Sequence, residues 1–286
     1  MKQMNSIEQI NAETERLFLG AKVEWGENKG LIWENNFDRL FQEKKDKTVD
    51  FKSRIMKLSF AASFLILVGI GSFGWFYNNT YVAPKGEHLS ATLPDGSIVE
   101  LNAASTLKVY PFRWQVVRSV QFEGEGFFEV QKGKKFTVNS KYGKTSVLGT
   151  SFNIFSRDDT YRVLCVTGKV NVSGTKDAPV ILNPNEQVIL KSGKILYQLV
   201  NISPENITSW RFNQFVYTAA PFGEVVKEIE RQYGVSITTD LTLKRTISVS
   251  FQKDPDVEKV LSMVCKPLGY TYVKKSESNY LITGDN

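Results

Sequence analysis

Histidine and cysteine are nearly missing from this chain: 286 residues contain one histidine, His88, and two cysteines, Cys165 and Cys265, a hundred positions apart. No second histidine or cysteine stands at ligand spacing, which excludes zinc sites of the usual kinds, and nothing in the sequence calls for a cofactor. A Ser-His-Asp triad would have to use His88, yet no G-x-S-x-G elbow occurs to present its serine. An oxidising compartment would permit a Cys165–Cys265 bridge. However, Cys165 lies in the apolar run "RVLCVTG" and Cys265 in "EKVLSMVC", where each reads as a small buried hydrophobe, so free thiols are expected. Glu123, Glu125 and Glu129 of "FEGEGFFEV" have the residue type of a glycosidase pair, but at a glycine-marked strand junction they are expected to be solvated. Catalysis is therefore poorly supplied and no enzyme is predicted. The net charge of +6 is spread through the chain apart from one cluster, so it is not the footprint of direct nucleic-acid binding.

Charge is also missing from one long stretch. Leu58 to Tyr77 is uncharged over twenty residues, and at about 1.5 Å per helical residue that matches a bilayer's hydrocarbon core. Buried helices of soluble domains usually keep a polar face. A cleaved signal peptide has a short leader, whereas fifty-six residues come before Lys57. Lys44, Lys45, Lys47, Lys52, Arg54 and Lys57 precede the run, and only Lys85 follows closely. The positive-inside rule therefore predicts a cytoplasmic N-terminus and an external C-terminus. The same cluster is suited to anionic lipid. Trp75, Phe76 and Tyr77 supply the aromatic residues expected at the outer interface. Within the run, "GIGSFG" matches G-x-G-x-x-G, but it lacks the strand-turn-helix setting of a dinucleotide site. Gly69, Gly71 and Gly74 are instead expected to loosen the outer half of the helix, each costing ~1 kcal/mol of propensity relative to alanine.

From His88 to Val200, apolar and polar residues alternate over short stretches broken by Gly, Asp, Asn and Pro. This predicts about a dozen strands with no helix between them, an all-β sandwich or roll, antiparallel or coiled. After "NISPENITSWRFNQ" a strand-helix-strand pattern occurs twice. Pro221 starts and Gly234 stops a helix bearing Val225, Val226, Ile229 and Tyr233; Pro255 and Gly269 bracket another bearing Val257, Val260, Leu261, Val264 and Leu268. These units predict a small α+β domain with helices on one sheet face and open strand edges. The strands around Phe215, Val216, Tyr217, Ile247 and Val249 are suited to strand addition by a partner. Before the apolar run, Ile7, Ile10, Leu17 and Phe18 form one helical stripe, and Trp33, Phe37, Leu40 and Phe41 another. Two such helices bury little alone. They are completed either by a partner or by a self-packed hairpin.

Several segments resemble the FecR family, single-span sigma regulators of Gram-negative cell-surface signalling. They are "LPDGSIVELNAASTLKVYP" (93–111), "VQFEGEGFFEV" (120–130), "FTVNSKYGKTSVLGTSFNI" (136–154) and "LNPNEQVIL" (182–190), with "VLGTSFN" the most specific. The tail from Trp210 is similar to the additional C-terminal domain of members from the Bacteroidota, and to the short N-terminal domain of secretins and TonB-dependent receptors. The resemblance implies four parts: a cytoplasmic helical segment over 1–56, a transmembrane helix over 57–77, a periplasmic all-β domain over 86–200 and an α+β domain over 210–284. It implies an inner-membrane anti-sigma factor that relays a signal from an outer-membrane TonB-dependent receptor to an extracytoplasmic-function sigma factor. Sigma-contact candidates are then Trp25, Trp33, Phe37, Leu40 and Phe41, the last four also on the stripe above, and receptor-contact candidates are Phe215, Val216, Tyr217, Ile247 and Val249. Family members are often cut near the membrane, which implies an intramembrane protease as a further partner. The inner part is shorter than in many members, with "VEWGENKGLIWENNFDRL" (23–40) as its recognisable piece. A different class of function, a membrane-anchored periplasmic module that holds a glycan or envelope component, accounts for the same β region without a sigma partner.

Overall fold

The structure is a computed structural model that describes residues 13–16, 19, 20, 26, 30, 31, 34, 37, 51–175, 177–239 and 245–284. The chain divides into two compact units, residues 1–65 and 66–286. In the first, 13–16, 19, 20, 30, 31, 34 and 37 are helical. Phe37 is exposed there, while Trp25, Trp33, Leu40 and Phe41 lie outside the described residues.

Helix α1, Phe51–Phe76, carries the apolar run, and none of its residues is buried. It begins seven residues before Leu58, because Lys52, Arg54 and Lys57 are good helix formers and no glycine or proline interrupts them. It is long and apolar enough to cross a membrane.

Thirteen strands come next, in the second unit. They are β1 (Asn79–Ala83), β2 (Leu89–Thr92), β3 (Ile98–Leu101), β4 (Ser105–Val109), β5 (Arg118–Glu129), β6 (Phe136–Ser140), β7 (Gly143–Val147), β8 (Ser151–Arg157), β9 (Thr160–Cys165), β10 (Val170–Ser173), β11 (Val180–Leu182), β12 (Gln187–Lys191) and β13 (Lys194–Leu199). The alternation expected of half-buried strands is plain in β4, where Ser105, Leu107 and Val109 point inward. β5 organises the module because it belongs to two sheets. Its first half pairs with β4 and, in parallel, with β6; its second half pairs with β3 and β8. One sheet runs on through β7, β10 and β11, the other through β9, β12 and β13.

The strand changes sheets at Gly124, whose φ of +116° is in the region that favours glycine. A Cβ there would lie 2.6 Å from the Ser105 Cα, so no other residue fits the crossing. Between the sheets lies an apolar core including Phe122, Phe128, Phe136, Phe152 and Tyr161. Phe128 and Phe152 stack with centroids 5.1 Å apart. The Tyr161 hydroxyl shares a 2.7 Å hydrogen bond with Thr145.

The rest of the second unit comprises α2 (Pro204–Ile207), β14 (Gln214–Pro221), α3 (Phe222–Tyr233), β15 (Ser236–Thr239), β16 (Thr246–Gln252), α4 (Val257–Cys265), β17 (Tyr270–Ser276) and β18 (Asn279–Gly284). The single sheet with both helices on one face is not what forms. β14 pairs antiparallel with β16, while β15 runs parallel to β18, which pairs antiparallel with β17. Helix α3 touches β14 and β15, and α4 touches β16 and β17, so the helices lie between two small sheets. Gly234 and Gly269, with φ of +67° and +68°, end the two helical segments as the sequence indicated. Cys165 and Cys265 are free and buried, in separate cores. Burial pushes each thiol up to about 11.

Candidate functional site

Phe127 is the residue that connects the β module to the C-terminal elements. Its neighbour Phe128 points into the β core, whereas Phe127, on the opposite face of β5, joins the second apolar core with Trp210, Phe222 and Ile229. The Arg211 guanidinium carbon lies over the Phe127 ring, 3.8 Å from its centroid. It donates two hydrogen bonds to Glu100 and one of 3.2 Å to Glu129. Glu100 and Glu129 hold the Arg211 guanidinium above its ordinary value, chiefly through the Glu100 hydrogen bonds.

Beside this clamp is a buried polar network supplied from both sides. Helix α3 buries Val225, Val226 and Ile229, but on the same stripe it also carries Glu228 and Gln232. The Asn102 side-chain amide donates to Glu125 at 2.9 Å and to Glu228 at 3.2 Å. Gln232 donates to the Asn102 carbonyl oxygen at 2.6 Å and to Glu228 at 2.8 Å. Asn153 donates to Glu125 at 3.1 Å and accepts from the Trp210 indole at 3.3 Å. His88 meets the Gln232 amide oxygen at 3.3 Å and packs edge-on against Trp210.

The two carboxyl groups are shifted in opposite directions from their ordinary value. Burial pushes Glu125 up, and the charge on Glu228 adds to it. Burial also opposes ionisation of Glu228, but Arg231, Arg157 and donated hydrogen bonds outweigh it and hold that carboxyl low. Burial is also the main reason His88 falls below its ordinary value. Glu125 is thus not the solvated residue expected at a strand junction. Glu123 is exposed and Glu129 half-buried, so the three carboxylates of "FEGEGFFEV" do not converge on one site.

An adjoining cleft of about 680 Å³ is lined by Phe155, Trp210, Phe215 and Tyr217 among others. Its charged walls are tied together by ion pairs between Arg162 and Glu224 and between Lys227 and Asp158. Of the strand residues singled out for partner contact, Phe215 and Ile247 turn into the second core, and Val216, Tyr217 and Val249 are half-buried. Phe215, Val216 and Tyr217 reach the cleft. Among the described residues neither β14 nor β16 has a second strand partner. The polar groups of the network beside the cleft are engaged with one another.

The family model described as FecR protein matches residues 79–171, and that described as FecR, C-terminal, matches 214–282. The chain belongs to the FecR family. The FecR match ends within β10 and the C-terminal match begins at the first residue of β14, so the buried network joins the two matched regions. Two crystal structures of a candidate anti-sigma factor from Parabacteroides distasonis ATCC 8503, at 2.50 and 1.65 Å resolution, are similar to this FecR-family chain. Each is 29% identical with a TM-score of 0.67, covering 73% of this chain and 100% of its own. No curated protein sequence matches the chain.

Glu228 and Gln232 were missed at the level of sequence. A carboxylate and an amide four positions apart on an otherwise apolar helical stripe are the signal that could have found them.

Proposed function

We propose that this protein is a single-pass inner-membrane sigma regulator that relays a signal from an outer-membrane TonB-dependent receptor to an extracytoplasmic-function sigma factor. In this reading residues 1–56 are cytoplasmic, 57–77 cross the membrane, and the β domain over 86–200 and the α+β domain over 210–284 are periplasmic. The observation that carries it is the order of parts: an apolar 26-residue helix with a basic approach, followed by the FecR and FecR C-terminal regions. The anti-sigma description of the Parabacteroides distasonis protein supports the same assignment.

The receptor would approach β14 and β16, with Val216, Tyr217 and Val249 at the contact and Phe215 and Ile247 holding the strands from behind. The inner stripe of Trp25, Trp33, Phe37, Leu40 and Phe41 would meet the sigma factor. Gly69 and Gly71 have open space around them and would make the outer helix a substrate for an intramembrane protease. The test is a pull-down with residues 1–55, together with replacement of Trp33, Phe37 and Phe41 by alanine in the full chain. Recovery of a sigma factor, and its release by the triple variant, is the expected result. An empty pull-down with unchanged sigma-dependent reporter output would reject the assignment and favour a simple envelope-binding module.

A further inference from the structure

Residues 110–117, "YPFRWQVV", join β4 to β5 through a 3-10 turn at Pro111–Arg113. Trp114 turns inward against Phe136, with ring centroids 6.0 Å apart, and fixes the segment to the β core. Phe112 and Val116 turn outward and are 67% and 74% exposed, with Val117 beside them at 41%. Arg113 lies over the Tyr110 ring at 3.7 Å, and the segment holds no carboxylate. An exposed aromatic and two valines beside an unopposed cation make an unusual water-facing loop.

The loop's neighbours identify what covers it. Phe112 meets Tyr77 edge-on at 5.3 Å, and the Arg113 guanidinium stands 5.7 Å from the Trp75 ring. An added Cβ on Gly74 would reach the Phe112 side chain at 3.9 Å. Trp75, Phe76 and Tyr77 end the apolar helix with the residue types that settle at the headgroup level of a bilayer. A loop held against them shares that depth.

We propose that residues 111–117 are an interfacial docking loop. Phe112 and Val116 enter the boundary between headgroups and acyl chains beside the end of α1, and Arg113 faces lipid phosphate. The occupant of this surface is the lipid interface, and the inference rests on α1 being a membrane span. Its consequence is a second attachment of the β module to the bilayer, through which displacement of the module bears directly on Tyr77 and the helix end.

The test uses the full chain in nanodiscs of phosphatidylethanolamine and phosphatidylglycerol. Spin labels are placed one at a time through Phe112→Cys, Val116→Cys, Phe64→Cys in the middle of α1 and Ile181→Cys on exposed β11. The two native cysteines are buried. Collision with oxygen, which partitions into acyl chains, is compared with collision with a water-soluble nickel chelate. Labels at 112 and 116 are expected to be severalfold better shielded from the chelate than the label at 181, with raised oxygen collision. Full chelate access at 112 and 116 with position 64 shielded would overturn the docking loop and leave the span intact. Shielding from both reagents at 112 and 116 would mean a protein cover and would also overturn it. Chelate access at all four positions would remove the span and the loop together.

Discussion

Gly124 holds a position that only glycine can fill, at the step where β5 passes from one sheet to the other. Its φ of +116° and the Ser105 Cα standing 2.6 Å from an added Cβ act together. Gly124→Ala is expected to destabilise the chain by about 3 kcal/mol, from a strained backbone and a forced shift of β4. Urea denaturation of the detergent-solubilised protein checks it, and an unchanged midpoint would deny the crossing its geometry. The next residue carries a different sensitivity. Glu125 keeps a proton in the fold that the unfolded chain releases above the ordinary carboxylate range, so the native state binds more protons there. Stability from this group is present below the ordinary glutamate value and is lost as pH rises through the raised one. Glu228 works in the other sense: its contribution is present above the ordinary value and is lost as pH falls through its lowered one. Glu125→Gln removes the first dependence and leaves the second. As pH rises above the ordinary glutamate value, its melting temperature should fall less than that of the parent. Parallel curves for the two proteins would show that Glu125 does not titrate in this window.

Helix α4 shows how a short element is held. Asp256 takes the cap position, and its carboxylate accepts the Glu258 amide at 2.9 Å. Asp256→Ala should cost about 1 kcal/mol and be measurable as a lowered melting temperature, whereas Asp256→Asn should retain most of the cap. A loss shared equally by both variants would point away from capping. Elements with local signals were legible in the sequence: α3 between Pro221 and Gly234, the apolar helix, and the alternating strands. What was not legible depends on contacts between distant segments. The parallel pairing of β5 with β6 has no local mark. Neither does the split of the C-terminal strands into two sheets, because strands of similar alternation can pair with several partners. The bulge between Tyr217 and Ala220, with Ala219 at a φ of +49° and its amide donating to Ser248, is another feature that propensity does not disclose.

At the scale of the second unit, the question is how the FecR region and the C-terminal region are kept in register. Apolar contact through Phe127 supplies adhesion without direction, while the network around Asn102 specifies one arrangement, because its donors and acceptors match only when β5, β8 and α3 are all in place. The sequence reading placed Glu125 in solvent and named only Val225, Val226, Ile229 and Tyr233 on the α3 stripe. Burial of Glu125, Glu228 and Gln232 results from the meeting of two regions joined here by Asn102 and its partners Glu228 and Gln232, over a hundred positions away. Removing one partner from such a set leaves another buried group unsatisfied, which costs more than the lost hydrogen bond itself. Glu228→Ala should therefore be the most damaging single change, since it leaves Arg231 and Arg157 without their shared carboxylate; a loss of about 3–5 kcal/mol is expected. Asn102→Ala and Gln232→Ala should each cost less, and the double variant should fall short of their sum, with a coupling of about 0.5–3 kcal/mol. Hydrogen exchange resolves where the loss falls. Faster exchange across α3 and the 200–213 connection, with β6 and β7 still protected, is the expected pattern. Uniform exchange throughout the unit, or strict additivity of the two single changes, would mean that the network does not determine how these regions dock.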